Sequence, residues 1–362
     1  MTKRIYIVGA GAIASFHVEA IERYYEQKER PIVKITDVNK QAMDSFINKY
    51  KWVVPIDNIL SLLEEDALVD DIVIVATPPF THANITCMAL ESGRHVLCEK
   101  PLAMNDHESA MILQTVKKTG KSISCCSSRF VGMRITKEVK QILDNGEIGE
   151  LYQVKWIQRR KRARSGIEYQ PQSKWFLNPT ISGGGTLMDW GPYDMTSLIE
   201  ILNPIKVEVL HAWMTTPSTD HELDTEENAE VEQHVGATLV FTLVDSNRVV
   251  VQYERAACCH GEESSTTQIE GSHGAVIWDW PLFSGEGNLT RFYDENGETK
   301  YETRNITNEE LGMMDKPIIY FIEQVAGENQ LAVTNEQAVF NFNVLHAIYK
   351  YIQTKEVQII TL

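Results

Sequence analysis

Ile5-Tyr6-Ile7-Val8-Gly9-Ala10-Gly11-Ala12-Ile13-Ala14 decides how the first third of the chain folds. Its four leading apolar residues read as a buried parallel strand. Gly9 and Gly11 follow at once, and apolar residues then recur at Ile13, Phe16, Ala20, Ile21 and Tyr24, which is helical spacing. Strand, glycine turn and helix together are the context in which Gly-x-Gly-x-x-Gly/Ala marks a dinucleotide site. The first glycine permits the tight turn, and the second lets the backbone approach a pyrophosphate. Ala14, small in place of a third glycine, lets helix and strand pack closely. The helix N-terminus presents N–H groups and the positive end of its dipole to the anion.

Outward from that turn, strand and helix alternate. Pro31 to Asp37 reads as a second strand ending in an acid, Val53-Val54 as a short one, and Asp71 to Thr77 as a strand apolar on both faces. His95 to Cys98 and Ser122 to Ser127 complete the set, separated by helical patterns at about His82–Ser92 and Asp106–Lys118. This alternation predicts a doubly wound parallel sheet, an α/β Rossmann domain, over residues 1–127. Ligands of such sheets bind outside the carboxyl ends of the strands, where Asp37, Thr77 and Lys100 fall.

From residue 128 the texture changes. A helix at Ile135–Leu143 leads into longer strands, among them Leu151–Gln158, Val207–Met214, Val235–Leu243, Arg248–Arg255 and Thr266–Ile269. Several alternate apolar and polar residues, the mark of an antiparallel sheet with one wetter face. Helices at about 317–326 and 335–351 close the chain. The expectation for 128–362 is an α+β domain with a large open, mostly antiparallel sheet, its last helix packing back near the first domain. The acidic run Glu222 to Glu232 reads as a solvated loop.

A length of 362 residues suits two domains, and a net charge of −16 argues against a nucleic-acid partner. Six cysteines occur without any Cys-x-x-Cys, and the histidines show no metal-ligand spacing, so no metal is expected. No apolar run is long enough to span a membrane and the N-terminus lacks a secretory pattern, so the expected location is cytoplasmic.

Three constellations carry chemistry. Asp37, at the end of the second strand, can accept from an adenosine ribose and repel a 2′-phosphate, which favours NAD over NADP. Lys100, at a strand's carboxyl end before Pro101, can aim an ammonium at a nicotinamide. Asp189 and Tyr193 follow the glycine run Gly183-Gly184-Gly185 at a spacing of four, on one helical face. A phenol can exchange a hydroxyl proton and a carboxylate can grip a neighbouring hydroxyl, a pairing suited to alcohol–ketone interconversion. Arg159, Arg160, Lys161, Arg162 and Arg164 form a basic cluster that reads either as a solvated loop or as a clamp for an anionic substrate group.

Gly9-x-Gly11-x-x-Ala14, Ala76-Thr77-Pro78-Pro79, His82, Gly93-Arg94-His95-Val96, Glu99-Lys100-Pro101, Arg129-Phe130, Gly146 to Glu150 and Ser182 to Tyr193 together resemble the Gfo/Idh/MocA oxidoreductases. The resemblance implies an NAD(P)-dependent enzyme moving a hydride between the nicotinamide and a carbinol or carbonyl carbon of a sugar, polyol or derivative. It implies Lys100, Tyr193 and Asp189 as catalytic residues. Gly9, Gly11, Ala12, Ile13, Ala14, Asp37, Thr77, Pro78, His82, Glu99, Lys100 and Trp175 would contact the cofactor. Lys100, Arg129, Arg160, Arg164, Asp189 and Tyr193 would contact the substrate. Tyr193 stands where many inositol dehydrogenases carry His. The resemblance further implies a homodimer or homotetramer built through the open sheet. Rival readings are a reductase of a non-sugar carbonyl or dihydrodiol-type dehydrogenase and a non-catalytic sugar or nucleotide sensor.

Overall fold

The structure is a computed structural model that describes residues 4–161, 174–216, 230–280, 285–307, 311–329 and 331–362. Two compact units emerge, one from Met1–Arg129 with Leu311–Phe342 and one from Phe130–Glu310 with Asn343–Leu362.

The first unit runs β1 (Arg4–Val8), α1 (Ala12–Tyr24), β2 (Ile32–Thr36), α2 (Lys40–Lys49), β3 (Val54–Pro55), α3 (Ile59–Glu64), β4 (Ile72–Val75), α4 (His82–Glu91), β5 (His95–Cys98), α5 (Asp106–Thr119) and β6 (Ile123–Cys125). The six strands form one parallel sheet in the order β3-β2-β1-β4-β5-β6. The order reverses at β1, which makes the carboxyl end of β1 the topological switch point. Apolar residues on both faces of β1 and β4 are buried because helices cover both faces. Asn39, Asn58 and Asn105 cap α2, α3 and α5 through their side-chain oxygens, which stops each helix from fraying at its start. The strand expected at Ser122–Ser127 ends early at Cys125. Ser128 Oγ donates to the Cys125 carbonyl at 2.9 Å and turns the chain into a 3₁₀ segment, Cys126–Phe130.

The second unit runs α6 (Arg134–Asp144), β7 (Leu151–Arg159), α7 (Pro179–Ser182), α8 (Thr186–Leu202), β8 (Pro204–Thr215), β9 (His234–Leu243), β10 (Arg248–Ala256), β11 (Ser264–Gly271), β12 (Gly274–Trp278), β13 (Glu286–Glu295) and β14 (Glu298–Thr307). The chain continues through α9 (Lys316–Val325), α10 (Asn335–Thr354) and β15 (Gln358–Thr361). Nine strands make a mixed sheet, β14-β13-β12-β11-β7-β10-β9-β8-β15, in which β7–β10 is the parallel pair. Alternate residues of β7 and β10, such as Val154, Trp156, Val249, Val251 and Tyr253, are buried, and α8 packs on β9 and β10.

Residues 311–342, placed by the sequence division with the second domain, pack into the first unit. Ile318, Ile319, Phe321 and Ile322 of α9 share one core with Ile5, Ile7, Val18 and Ile21. Arg23 on α1 donates to both carboxylate oxygens of Asp315 at 3.1 and 2.5 Å. Helical periodicity shows that α9 has an apolar face but not which core that face joins. The first eight residues of α10 belong to this unit, where Asn335 Oδ1 accepts from the Ile123 N–H at 3.0 Å. Among the described residues no helix is long and apolar enough to cross a membrane.

Candidate functional site

The glycine turn is built as its sequence requires. Gly9 has φ +107° and donates its N–H to the Thr36 carbonyl at 2.8 Å; a Cβ there would overlap the Ala76 carbonyl. Gly11 is the N-cap of α1, and a Cβ on it would meet nothing within 4 Å. No side chain caps this helix. Ala12 and Ile13 form its first turn, and Ala14 is fully buried against the strand. Asp37 Oδ2 accepts from the Ala10 N–H at 2.6 Å and Oδ1 from the Asn39 N–H at 2.7 Å. A turn open above a helix N-terminus, with a carboxylate held at its side, fits a dinucleotide that carries a ribose hydroxyl rather than a phosphate.

Thr77 and Pro78 follow β4, with Thr77 Oγ1 2.6 Å from Thr81 Oγ1. His82, expected at the cofactor, is fully buried. Its Nδ1 lies 2.6 Å from the Pro101 carbonyl and its Nε2 2.8 Å from the Thr77 carbonyl, so it ties the ends of β4 and β5 together. Burial lowers its pKa against the pull of both carbonyls.

Lys100 lies just past β5, half-buried. Glu99 before it is 5% exposed and points inward. Its Oε1 accepts from His17 Nε2 at 2.9 Å, Arg129 donates to both oxygens at 2.9 and 3.1 Å, and the Lys100 N–H lies 3.2 Å from Oε2. Burial pushes the Glu99 carboxyl up, yet the Arg129 charge, the His17 hydrogen bond and the Lys100 charge hold it well below the usual carboxylate range. Arg129, expected at the substrate, therefore has a buried partner in its own unit. The His17, Glu99 and Cys126 ligand atoms lie within 4.8 Å of one another. A guanidinium on the same carboxylate makes this a hydrogen-bonded knot in which a second cation would be repelled. The sequence reading passed over His17, whose one signal is a lone imidazole on the buried stripe of α1 with Ala14, Val18 and Ile21.

In the second unit a 3₁₀ segment, Lys174–Leu177, stacks Trp175 on Phe176 with centroids 3.9 Å apart. The triple glycine that follows serves close packing. A Cβ on Gly184 would overlap the Tyr349 hydroxyl, and one on Gly185 the Glu232 carbonyl. Glu232, 4% exposed, accepts from Gly185 N–H at 2.7 Å, Leu187 N–H at 2.9 Å and Tyr349 OH at 2.8 Å. Burial raises its pKa despite these donors. This acid was expected in a solvated loop; residues 222–229 of that run lie outside the described residues.

Asp189 occupies the first turn of α8, with its N–H bonded to the Gly185 carbonyl at 2.9 Å. Tyr193, one turn on, is 5% exposed and meets Phe130 and Trp190 edge-on at 5.4 and 5.7 Å. Asp194 anchors the helix to the sheet. It accepts from Trp156 Nε1 at 3.0 Å, Tyr253 OH at 2.8 Å and Arg255 Nε at 2.9 Å, and also pairs with the second Arg255 nitrogen. Arg255 in turn lies 5.1 Å from the Trp190 ring centroid. In the basic cluster Arg159 faces Glu254 at 3.2 Å and Arg160 faces Glu263 at 3.7 Å, while Arg162 and Arg164 lie outside the described residues. Asp194 and Arg255 carry no role in the sequence reading and Glu232 only that of a solvated acid, because their partners lie tens of residues away.

Residues 3–126 match the model described as an oxidoreductase family with an NAD-binding Rossmann fold, and residues 136–277 match the GFO/IDH/MocA C-terminal domain. Among curated proteins, Oxidoreductase P35 of Formosa agariphila is 25% identical over 52% of this chain, and D-glucoside 3-dehydrogenase of Escherichia coli is 29% identical over 58%. The matched stretches span 57% and 56% of those two proteins. Levoglucosan dehydrogenase, solved with NADH and levoglucosan, superposes with a TM-score of 0.78 over 99% of this chain and 100% of its own, at 17% identity, a likeness of fold.

Proposed function

The chain belongs to the Gfo/Idh/MocA family of NAD-binding oxidoreductases, and we propose that it oxidises a secondary hydroxyl of a sugar or sugar derivative, or reduces the corresponding ketone. One observation carries the reading: α8 carries a carboxylate and a phenol one turn apart, in a chain whose other unit has an open glycine turn past β1 and a lysine just past β5. Bound NAD supplies the hydride acceptor at its nicotinamide C4.

The protein's own groups supply the rest. Asp189 accepts from a hydroxyl next to the reacting carbinol and so orients the ring. Tyr193 exchanges the carbinol proton, and Lys100 serves the nicotinamide end of the cofactor site. Gly9, Gly11 and the first turn of α1 hold the pyrophosphate, and Asp37 grips the ribose. Glu99, Arg129 and His82 act by holding the ends of β4 and β5 in place. Arg160 already faces Glu263, which supports a neutral glycoside over an anionic sugar. The E. coli relative's name supports the same class. Exposed apolar side chains on β8 and β15, Leu210, Trp213, Met214 and Ile359, support assembly into a homodimer or homotetramer through the sheet. The six cysteines are free thiols, which suits the cytoplasm.

Absorbance at 340 nm across a panel of glycosides and polyols with NAD tests the activity. Lys100→Ala and Tyr193→Phe are each expected to lower kcat by about 10²–10⁴-fold, with NADH still bound. Wild-type turnover in either variant refutes the assignment of that residue.

A further inference from the structure

Lys100 is a flexible side chain, and what it can reach depends on where its backbone is pinned. The residue before it is pinned with unusual thoroughness. The buried Glu99 carboxylate joins three separate segments of the first unit: α1 through His17, the 3₁₀ turn after β6 through Arg129, and the lysine's own N–H. Glu99 N–H also continues the sheet ladder by donating to the Val75 carbonyl at 2.9 Å.

We propose that His17 is a positioning residue for Lys100, coupling the helix that receives the cofactor pyrophosphate to the ammonium that works beside the nicotinamide. His17 is 2% exposed and its Nε2 faces Glu99 Oε1, while Nδ1 is buried with no hydrogen-bond partner among the described residues. The imidazole is thus oriented by a single contact, and that contact is to the residue preceding Lys100. Arg129 balances the charge of Glu99; His17 adds direction, because a carboxylate between donors from two segments cannot rotate toward either without losing the other. A shift of the α1 start on loading with cofactor would pass through one hydrogen bond to the lysine backbone. The proposal rests on the assignment of Lys100 above. A misplacement of about 1 Å in such a group costs on the order of 10²-fold in rate.

The test compares His17→Leu, which removes the donor, with His17→Gln, which keeps an N–H near the same place. Two readouts are taken on the full chain. The first is steady-state kinetics on a sugar found active, with NADH affinity by fluorescence. The second needs no substrate: lysines are reductively ¹³C-methylated, the Lys100 resonance is assigned by its loss in Lys100→Ala, and its pH titration is followed. His17→Leu is expected to lower kcat about tenfold to a hundredfold, with sugar KM and NADH Kd changed by less than about threefold. The Lys100 resonance is expected to move and titrate differently, and His17→Gln to restore most of both signals. If His17→Leu does not fold, His17→Asn, polar but too short to reach Glu99, carries the same expectations.

A folded Leu or Asn variant with an unchanged Lys100 resonance overturns the proposal, whatever its melting temperature or kcat. Wild-type turnover by Lys100→Ala would instead refute the catalytic assignment of Lys100, and the resonance would still show whether His17 fixes the place of that lysine.

Discussion

Two glycine turns, Gly9–Gly11 and Gly183–Gly185, each deliver the chain into the N-terminus of a helix that carries the proposed chemistry. They differ in what occupies the space above the helix end. At α1 a Cβ on Gly11 would meet nothing, and no side chain caps the first turn. At α8 the Glu232 carboxylate already takes the Gly185 and Leu187 N–H groups, and a Cβ on Gly185 would run into the Glu232 backbone. Both helix ends favour negative charge. One is uncapped, where the proposed pyrophosphate would sit; the other is filled by the protein's own acid. A glycine run before a helix is therefore not evidence of an anion site until the chain's own carboxylates have been accounted for.

The largest expected contrast comes from adding one methyl to each turn. Gly185→Ala must push a backbone carbonyl that no rotamer change can move, and an expected loss of about 3 kcal/mol or more should show in urea unfolding. Gly11→Ala has room within the fold, so its melting temperature should stay within about 2 °C of wild type. Its NADH affinity should fall about tenfold or more, about 1.4 kcal/mol, as measured by fluorescence titration. Equal losses of stability in the two variants would erase the distinction.

Smaller effects sharpen it. Glu232→Gln loses one acceptor among three donors and should cost about 1 kcal/mol at mildly acid pH. The raised pKa of Glu232 means that the folded state holds this proton more tightly than the unfolded chain. Wild-type stability should therefore decline as pH rises through the folded pKa, and the gap to Glu232→Gln should narrow. Glu99 has the opposite sign. Its lowered pKa makes its contribution complete above the ordinary carboxylate pKa, and it is lost only as pH falls well below that value. Unfolding midpoints collected from about pH 4 to about pH 8 check the first slope. A gap that widens with rising pH would contradict the assignment of Glu232 as the burdened carboxyl.

The parallel sheet was legible because its cues are local: a strand, a glycine turn and a helix within twenty residues, repeated with acids and lysines at strand ends. The positions of Lys100 just past β5 and of Asp189 and Tyr193 one turn apart on α8 were legible for the same reason, since the last two stand at a spacing of four. What escaped depends on distant partners. Residues 222–232 read as solvated because they are acidic, yet Glu232 is met by amides more than forty positions earlier in the chain. His82 and Arg129 are residue types that bind ligands, and sequence alone does not show that His82 also meets two backbone carbonyls and Arg129 the Glu99 carboxylate. The apolar face of α9 was visible, but its core-mates Ile5, Val18 and Ile21 lie some three hundred residues away.

The return of α9 to the first unit bears on how the protein is made. Strands β1 to β6 of the nucleotide-binding unit are translated before the second unit's β7 to β14, yet Ile318, Phe321 and Ile322 of that first unit's core are translated only after those eight strands. At about 5–20 residues per second this leaves the glycine turn and Lys100 on an unfinished scaffold for roughly 10–40 s. The unit whose strands come earlier is thus completed only after the second unit's β14, and the nascent chain must keep an apolar docking face for α9 waiting while those strands are made.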